Sequence, residues 1–150
     1  MTQILLNPVA SGTAKSTDLQ TGYIKTLAKG GASTTNTLSM YVDLTSGVKL
    51  NGVAKVTTAD VMASNGIIHV VDAVIGLPTI VTHATANPNF STLATLLTTQ
   101  NLISTLSSSA TPSPFTVFAP LNSAFDTATT SLYGGLKSKK KTAVLTYHVI

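Results

Sequence analysis

The stretch Gly66-Ile67-Ile68-His69-Val70-Val71-Asp72-Ala73-Val74-Ile75 decides how this chain folds. Asn65-Gly66 opens it with a turn signal, and Gly76-Leu77-Pro78 stops it. Its even positions are Ile68, Val70, Asp72 and Val74; its odd ones are Ile67, His69, Val71, Ala73 and Ile75. Both faces are apolar, which predicts a central strand covered on both sides. His69 and Asp72 stand three apart, so on a regular strand they point to opposite faces and form no local acid–base pair. They are expected as a buried neutral imidazole and a buried carboxylate, each hydrogen-bonded to backbone or to a threonine such as Thr116.

Upstream, residues 1–78 read as mostly β. Leu38, Met40, Val42 and Leu44 alternate with Ser39, Tyr41 and Asp43 as a half-buried strand does. Asn51-Gly52 between short alternating runs signals a hairpin. Downstream, residues 79–150 read as mostly α. Asn87-Pro88 is an N-cap followed by proline at the first helical position. Phe90, Leu93, Leu96 and Leu97 repeat at helical spacing, and Leu102, Ile103 and Leu106 suggest a second short helix. Thr116-Val-Phe-Ala119 is a short strand, and Asn122 is placed to cap a brief helix through Phe125 and Ala128. Lys137, Lys139, Lys140 and Lys141 read as a solvated loop ahead of an amphipathic run. His83 sits in a polar stretch and is expected in solvent. Thr2, Leu5 and Val9 recur as Thr142, Leu145 and Val149, a weak internal repeat. Pro8 stands where the other copy has His148 and lacks a backbone N–H, so residues 142–150 should fill their slot better and 1–9 should be peripheral, frayed or held by a second chain.

Gly66 to Ile75 resembles the second signature of fasciclin-like (FAS1) adhesion domains, and Thr116-Val-Phe-Ala-Pro-Leu-Asn-Ser-Ala-Phe125 resembles the first. In such domains the first signature precedes the second; here the order is reversed. Residues 1–78 therefore resemble the C-terminal part of the domain and 79–150 the N-terminal part, in circularly permuted order. Two arrangements give that order: a circular permutant, or the end of one tandem repeat joined to the start of the next. Together the parts make one FAS1-like unit, within a chain or by swapping in a homodimer. The implied fold class is α+β, a β-wedge or sandwich with packed helices. The implied function is a non-catalytic extracellular or cell-surface adhesion module, periplasmic in a bacterial source. Its partner would be a protein or glycan on a cell surface or in the matrix.

The resemblance also points to residues. The family's adhesion motifs fall at Asp60-Val61 and at Tyr147-His148, which makes these the partner-binding candidates. His69, Asp72, Thr116 and Asn122 carry structural roles in the two signatures. From the residues themselves, Lys137, Lys139, Lys140 and Lys141 are candidates for an acidic polysaccharide.

Composition narrows the classes further. A chain of 150 residues with 43% hydrophobic content can bury a real core. Only 9% of residues are charged, against an ordinary share of about 25%. All nine basic residues are Lys; with no Arg and no Trp, nucleic-acid recognition is not expected. There is no Cys, which removes disulfides, thiol catalysis and cysteine-ligated metals. The five acids are all Asp and none is spaced for metal ligation, so neither metal nor cofactor is expected. Ser and Thr are plentiful, but none lies in a nucleophile motif, so a hydrolase ranks last. No apolar run reaches the roughly 18 residues that span a bilayer, and Met1 to Leu6 lacks the basic start of a signal peptide.

Overall fold

The computed structural model describes residues 1–109, 113–125 and 127–150, without the side chains of 127–130. The chain divides into two compact units, Met1–Pro78 and Thr79–Ile150.

The first unit is an antiparallel meander. It opens with a short helix, α1 (Thr2–Leu6), and a 3-10 turn at Ser16–Asp18. Five strands follow: β1 (Gly22–Lys29), β2 (Thr37–Asp43), β3 (Lys49–Leu50), β4 (Ala54–Ala63) and β5 (Gly66–Val71). They lie in one sheet in chain order. The Asn51-Gly52 signal is realised: both residues have positive φ, 49° and 69°, and Val53 N–H donates to Leu50 O at 3.0 Å. That is the hairpin turn whose twist matches the flanking strands. Met40, Val42, Leu50, Ala54 and Ile75 form the core, with Ile24, Val56 and Val71 packed on it.

The stretch from Gly66 behaves differently from its expectation. β5 is an edge strand, not a central one. Only its odd face is covered: Ile67, His69 and Val71 are half-buried and Ile75 is buried, while Ile68, Val70 and Val74 are exposed. His69 and Asp72 do point opposite ways, but neither is buried: the imidazole is half-buried and the carboxylate is exposed. The strand ends at Val71 because Asp72 closes the ladder with its side chain. Asp72 N–H donates to Lys55 O at 3.1 Å, and Asp72 Oδ1, in place of a carbonyl, accepts from Lys55 N–H at 2.7 Å.

The register between β4 and β5 slips twice. Val56 pairs Val71, Thr58 pairs Val70, and Val61 pairs Ile68, so β4 carries extra residues on each side of Thr58. Asp60 lies in the second bulge at φ 59°. Asp tolerates this left-handed backbone better than most residues do.

Residues 1–9 are not peripheral. Asn7 is fully buried; its Nδ2 donates to Gly76 O at 2.8 Å and to Ile75 O at 3.3 Å. Val9 O accepts from Leu27 N–H and Gln3 Oε1 from Lys29 N–H. The proline at position 8 costs nothing here, because the neighbours on either side carry the bonds.

The second unit is helical: α2 (Ile80–Ala86), α3 (Ser91–Thr99), α4 (Ile103–Ser107), α5 (Thr127–Gly135) and α6 (Ser138–Thr146). Thr79 and Thr82 cap α2 reciprocally. His83 lies in that helix, half-buried rather than in solvent, and burial pushes its pKa down. Asn87 caps a 3-10 turn at Pro88–Phe90, as the Asn-Pro pair predicts. Leu93, Leu97, Leu106 and Leu145 make the core, with Phe125, Tyr133 and Val149 packed on it. The expected strand at Thr116 reduces to one isolated bridge, Val117 to Val149, with Thr116 exchanging both backbone bonds with Ile150.

Candidate functional site

The two pairs of partner-binding candidates fall in different units and behave in opposite ways. In the first unit Asp60 faces inward to its own loop. Its carboxylate accepts from Ser16 N–H at 2.8 Å and from the Ser16 hydroxyl. These bonds, the hydroxyl's first, hold the Asp60 carboxyl below the usual carboxylate range. The bulge leaves Asp60 N–H without a ladder partner, and His69 Nδ1 accepts it at 3.3 Å. His69 Nε2 then donates to Ala14 O at 2.9 Å, and one neutral tautomer makes both bonds. Asp60 and His69 thus clamp loop residues 14–16 onto the β4–β5 ribbon.

That clamp is not a catalytic triad. The imidazole meets the backbone of Asp60, not its carboxylate, and the Ser16 hydroxyl already donates to that carboxylate. The base bonded to the serine is the Asp60 carboxylate, held below the usual carboxylate range and therefore a poor proton acceptor. Among the described residues no cluster of three or more His or Asp could hold a metal ion.

Val61 is the member of the pair left outside. It shares the outer face of the ribbon with its cross-strand partner Ile68 and with Val70. Their exposures are 41%, 55% and 44%, which makes a contiguous apolar strip. Singly exposed apolar residues are ordinary; three neighbours on one face form an apolar patch.

In the second unit Tyr147 is 90% exposed. His148 is half-buried; its Nδ1–H donates to Val144 O at 2.9 Å, and its carbonyl accepts from Phe118 N–H. Asn122 does not cap its own turn at Asn122–Ala124. Its Oδ1 accepts from Thr92 N–H at 3.0 Å, while Nδ2 donates to Pro88 O and Ser91 Oγ, so it fastens the start of α3.

The lysines are not in a loop ahead of the helix. Lys137 is the N-cap of α6, and Lys139, Lys140 and Lys141 occupy the first turn. They oppose the helix dipole at about 0.3–1 kcal/mol each at low salt. Lys137, Lys139 and Lys140 are exposed, whereas Lys141 Nζ lies 5.4 Å from the centre of the Tyr133 ring.

Two features carried no sequence signal. Ser16 lies far from Asp60 along the chain, and only the fold joins them. The second is an apolar pocket of about 360 Å³ in the helical unit, lined by Leu97, Leu132, Tyr133 and His148 among others.

The model of the fasciclin domain matches residues 1–78 and 88–150. An uncharacterized protein of Synechocystis sp. is 40% identical over 78 residues, which is 49% of this chain and 55% of that protein. The chain thus spans about half the length of the curated relative it matches. Among solved structures, a FAS1 domain pair from the insect cell adhesion molecule fasciclin I aligns with 98% of this chain and 54% of its own. Its TM-score is 0.46, at 19% identity.

Proposed function

The chain belongs to the fasciclin domain family, and from that premise we propose that it is a non-catalytic adhesion module, extracellular or cell-surface, that binds a partner protein. The observation that carries this reading is the apolar strip of Val61, Ile68 and Val70. Asp60 supports it from beneath: its carboxylate is spent on Ser16, so it sets the bulge that presents Val61 and does not itself reach a partner. Tyr147, with its ring in solvent, is the second contact candidate. Beads coated with the protein should adhere to one another or to cells, and Ile68→Asp with Val70→Asp should abolish this at unchanged melting temperature. Beads that adhere to nothing would refute the adhesion reading. A double variant that adheres like the parent would remove the strip from it.

The rotated order belongs to the same proposal. The family match falls in two segments, broken at residues 79–87, which supports it. Joining residues 79–150 ahead of 1–78 should then give a monomer at least as stable as the parent. A rejoined chain that fails to fold would count against it.

A second reading is an acidic polysaccharide held by Lys137, Lys139, Lys140 and Lys141. Three of these are exposed, and the described residues of the second unit contain no acid to neutralise them. Lysines without arginine give such binding little specificity.

A further inference from the structure

The pocket of the helical unit combines three things that packing alone does not require. It holds about 360 Å³, within the range of small-ligand sites, about 300–1,000 Å³. Its walls are almost wholly apolar: Leu97, Leu132 and Leu136 stand among the lining residues. Tyr133 is part of that wall, and its hydroxyl is buried without a hydrogen-bond partner. A buried hydroxyl left unpaired destabilises a fold, so native structures rarely keep one without a use. A phenylalanine would pack the same ring without that penalty.

Among the described residues, the charge around the pocket has one sign. Lys141 sits over the Tyr133 ring, and Lys137, Lys139 and Lys140 lie on the same stretch of chain. No Asp or Glu occurs among the described residues of this unit. Burial raises the pKa of Tyr133, which keeps the phenol protonated and able to donate. His148 also lines the pocket, its Nδ1–H given to Val144 O. An apolar cavity, one unspent O–H donor and a positive surround define an amphipathic anion.

We infer that this pocket binds a medium-chain fatty acid, its alkyl chain among the leucines and its carboxylate, after a small turn of the Tyr133 ring that uncovers the hydroxyl, accepting from Tyr133 Oη near Lys141. This site is separate from the adhesive strip, which lies in the other unit, and either can fail without the other. It also differs from the polysaccharide reading, which needs the exposed lysines and no cavity.

The test is calorimetric titration of the full chain with decanoate below its micelle concentration, with decanol as the neutral control. One decanoate per chain should bind saturably, and decanol should bind at least fivefold more weakly. Tyr133→Phe should weaken decanoate fivefold or more while leaving the ligand-free melting temperature unchanged or raised, because the orphan hydroxyl is gone. Lys141→Ala should weaken decanoate without affecting decanol. In amide NMR spectra the shifts should centre on Leu97, Leu132, Tyr133 and His148. Absence of saturable binding, equal binding of decanol, an unaffected Tyr133→Phe variant, or shifts centred elsewhere would each overturn the assignment.

Discussion

Changing Asn7 to Asp alters one atom of a buried side chain and reverses its hydrogen-bond polarity. In the native unit Nδ2 donates to Gly76 O at 2.8 Å and Ile75 O at 3.3 Å, and position 7 is fully buried. A carboxylate there faces two carbonyl oxygens and can only accept. The substitution loses one good and one weak bond, at about 0.5–1.5 kcal/mol for a typical net bond. It also orphans a buried acceptor at Ile75, at about 1–3 kcal/mol. The sum is about 2–5 kcal/mol, or a fall of at least roughly 8 °C in the melting temperature of a unit this size. Asn7→Ala should cost less, about 1–2 kcal/mol, because Asn7 Oδ1 is itself buried without a partner and disappears with the side chain. The new carboxyl in Asn7→Asp will have a raised folded-state pKa. Its destabilisation is therefore full above that pKa and shrinks as the pH falls and the protonated acid donates again. Urea denaturation followed by circular dichroism at pH 7 and pH 5, with hydrogen exchange over residues 1–9, measures both effects. An Asn7→Asp protein within about 0.5 kcal/mol of the parent at pH 7 would refute the view that residues 1–9 are anchored.

Three further outcomes follow from the geometry. Ser16 depresses the Asp60 pKa and Thr45 that of Asp43, so the stability these carboxylates confer is present above their unfolded pKa values and is lost as the pH falls through the folded ones. Ser16→Ala should blunt the Asp60 share, visible as a smaller acid-side loss of exchange protection in loop 14–16; an unchanged acid profile would count against the clamp. Asn122→Ala removes the acceptor for Thr92 N–H and should cost about 1–2 kcal/mol, with faster exchange confined to the start of α3. Changing Lys139 and Lys140 to Glu should stabilise α6 by roughly 0.3–1 kcal/mol each at low salt, and abolish retention on a sulfated polysaccharide column if the lysines hold such ligands.

Local signals read well wherever the backbone obeys its own residues. Asn51-Gly52 makes its hairpin, Asn87-Pro88 caps its turn, and Leu93 with Leu97 forms the core that their spacing implies. The errors share one cause: they concern what lies beside an element, which pattern does not encode. The two-faced apolar run after Gly66 looks like a central strand, yet it is an edge strand whose outer residues are exposed. Asp72 looks buried because its neighbours are apolar, yet its carboxylate takes the place of a ladder carbonyl. The lysines look like a loop because helix starts disfavour them, and the packing of Leu145 overrides that preference. Of the candidate site, the identity of Asp60 was legible but its partner Ser16 was not, since no short-range pattern links them. Tyr133 was silent, because an orphan hydroxyl shows only once its surroundings are built.

The two bulges of β4 place the apolar strip by counting rather than by chemistry. Side chains on a strand alternate, so each extra residue exchanges inside for outside from that point onward. Val56 packs against the core and pairs Val71; after the first slip Thr58 pairs the exposed Val70, and after the second Val61 pairs the exposed Ile68. Deleting Ala59 alone would remove the second bulge: Thr58 would still pair Val70 and Val61 would still pair Ile68, so the strip would stay outside while the left-handed turn that aims Asp60 at Ser16 is lost. The bulge at residues 59–60 can therefore lose a residue without moving the strip, and such a change alters the Asp60–Ser16 clamp rather than the surface.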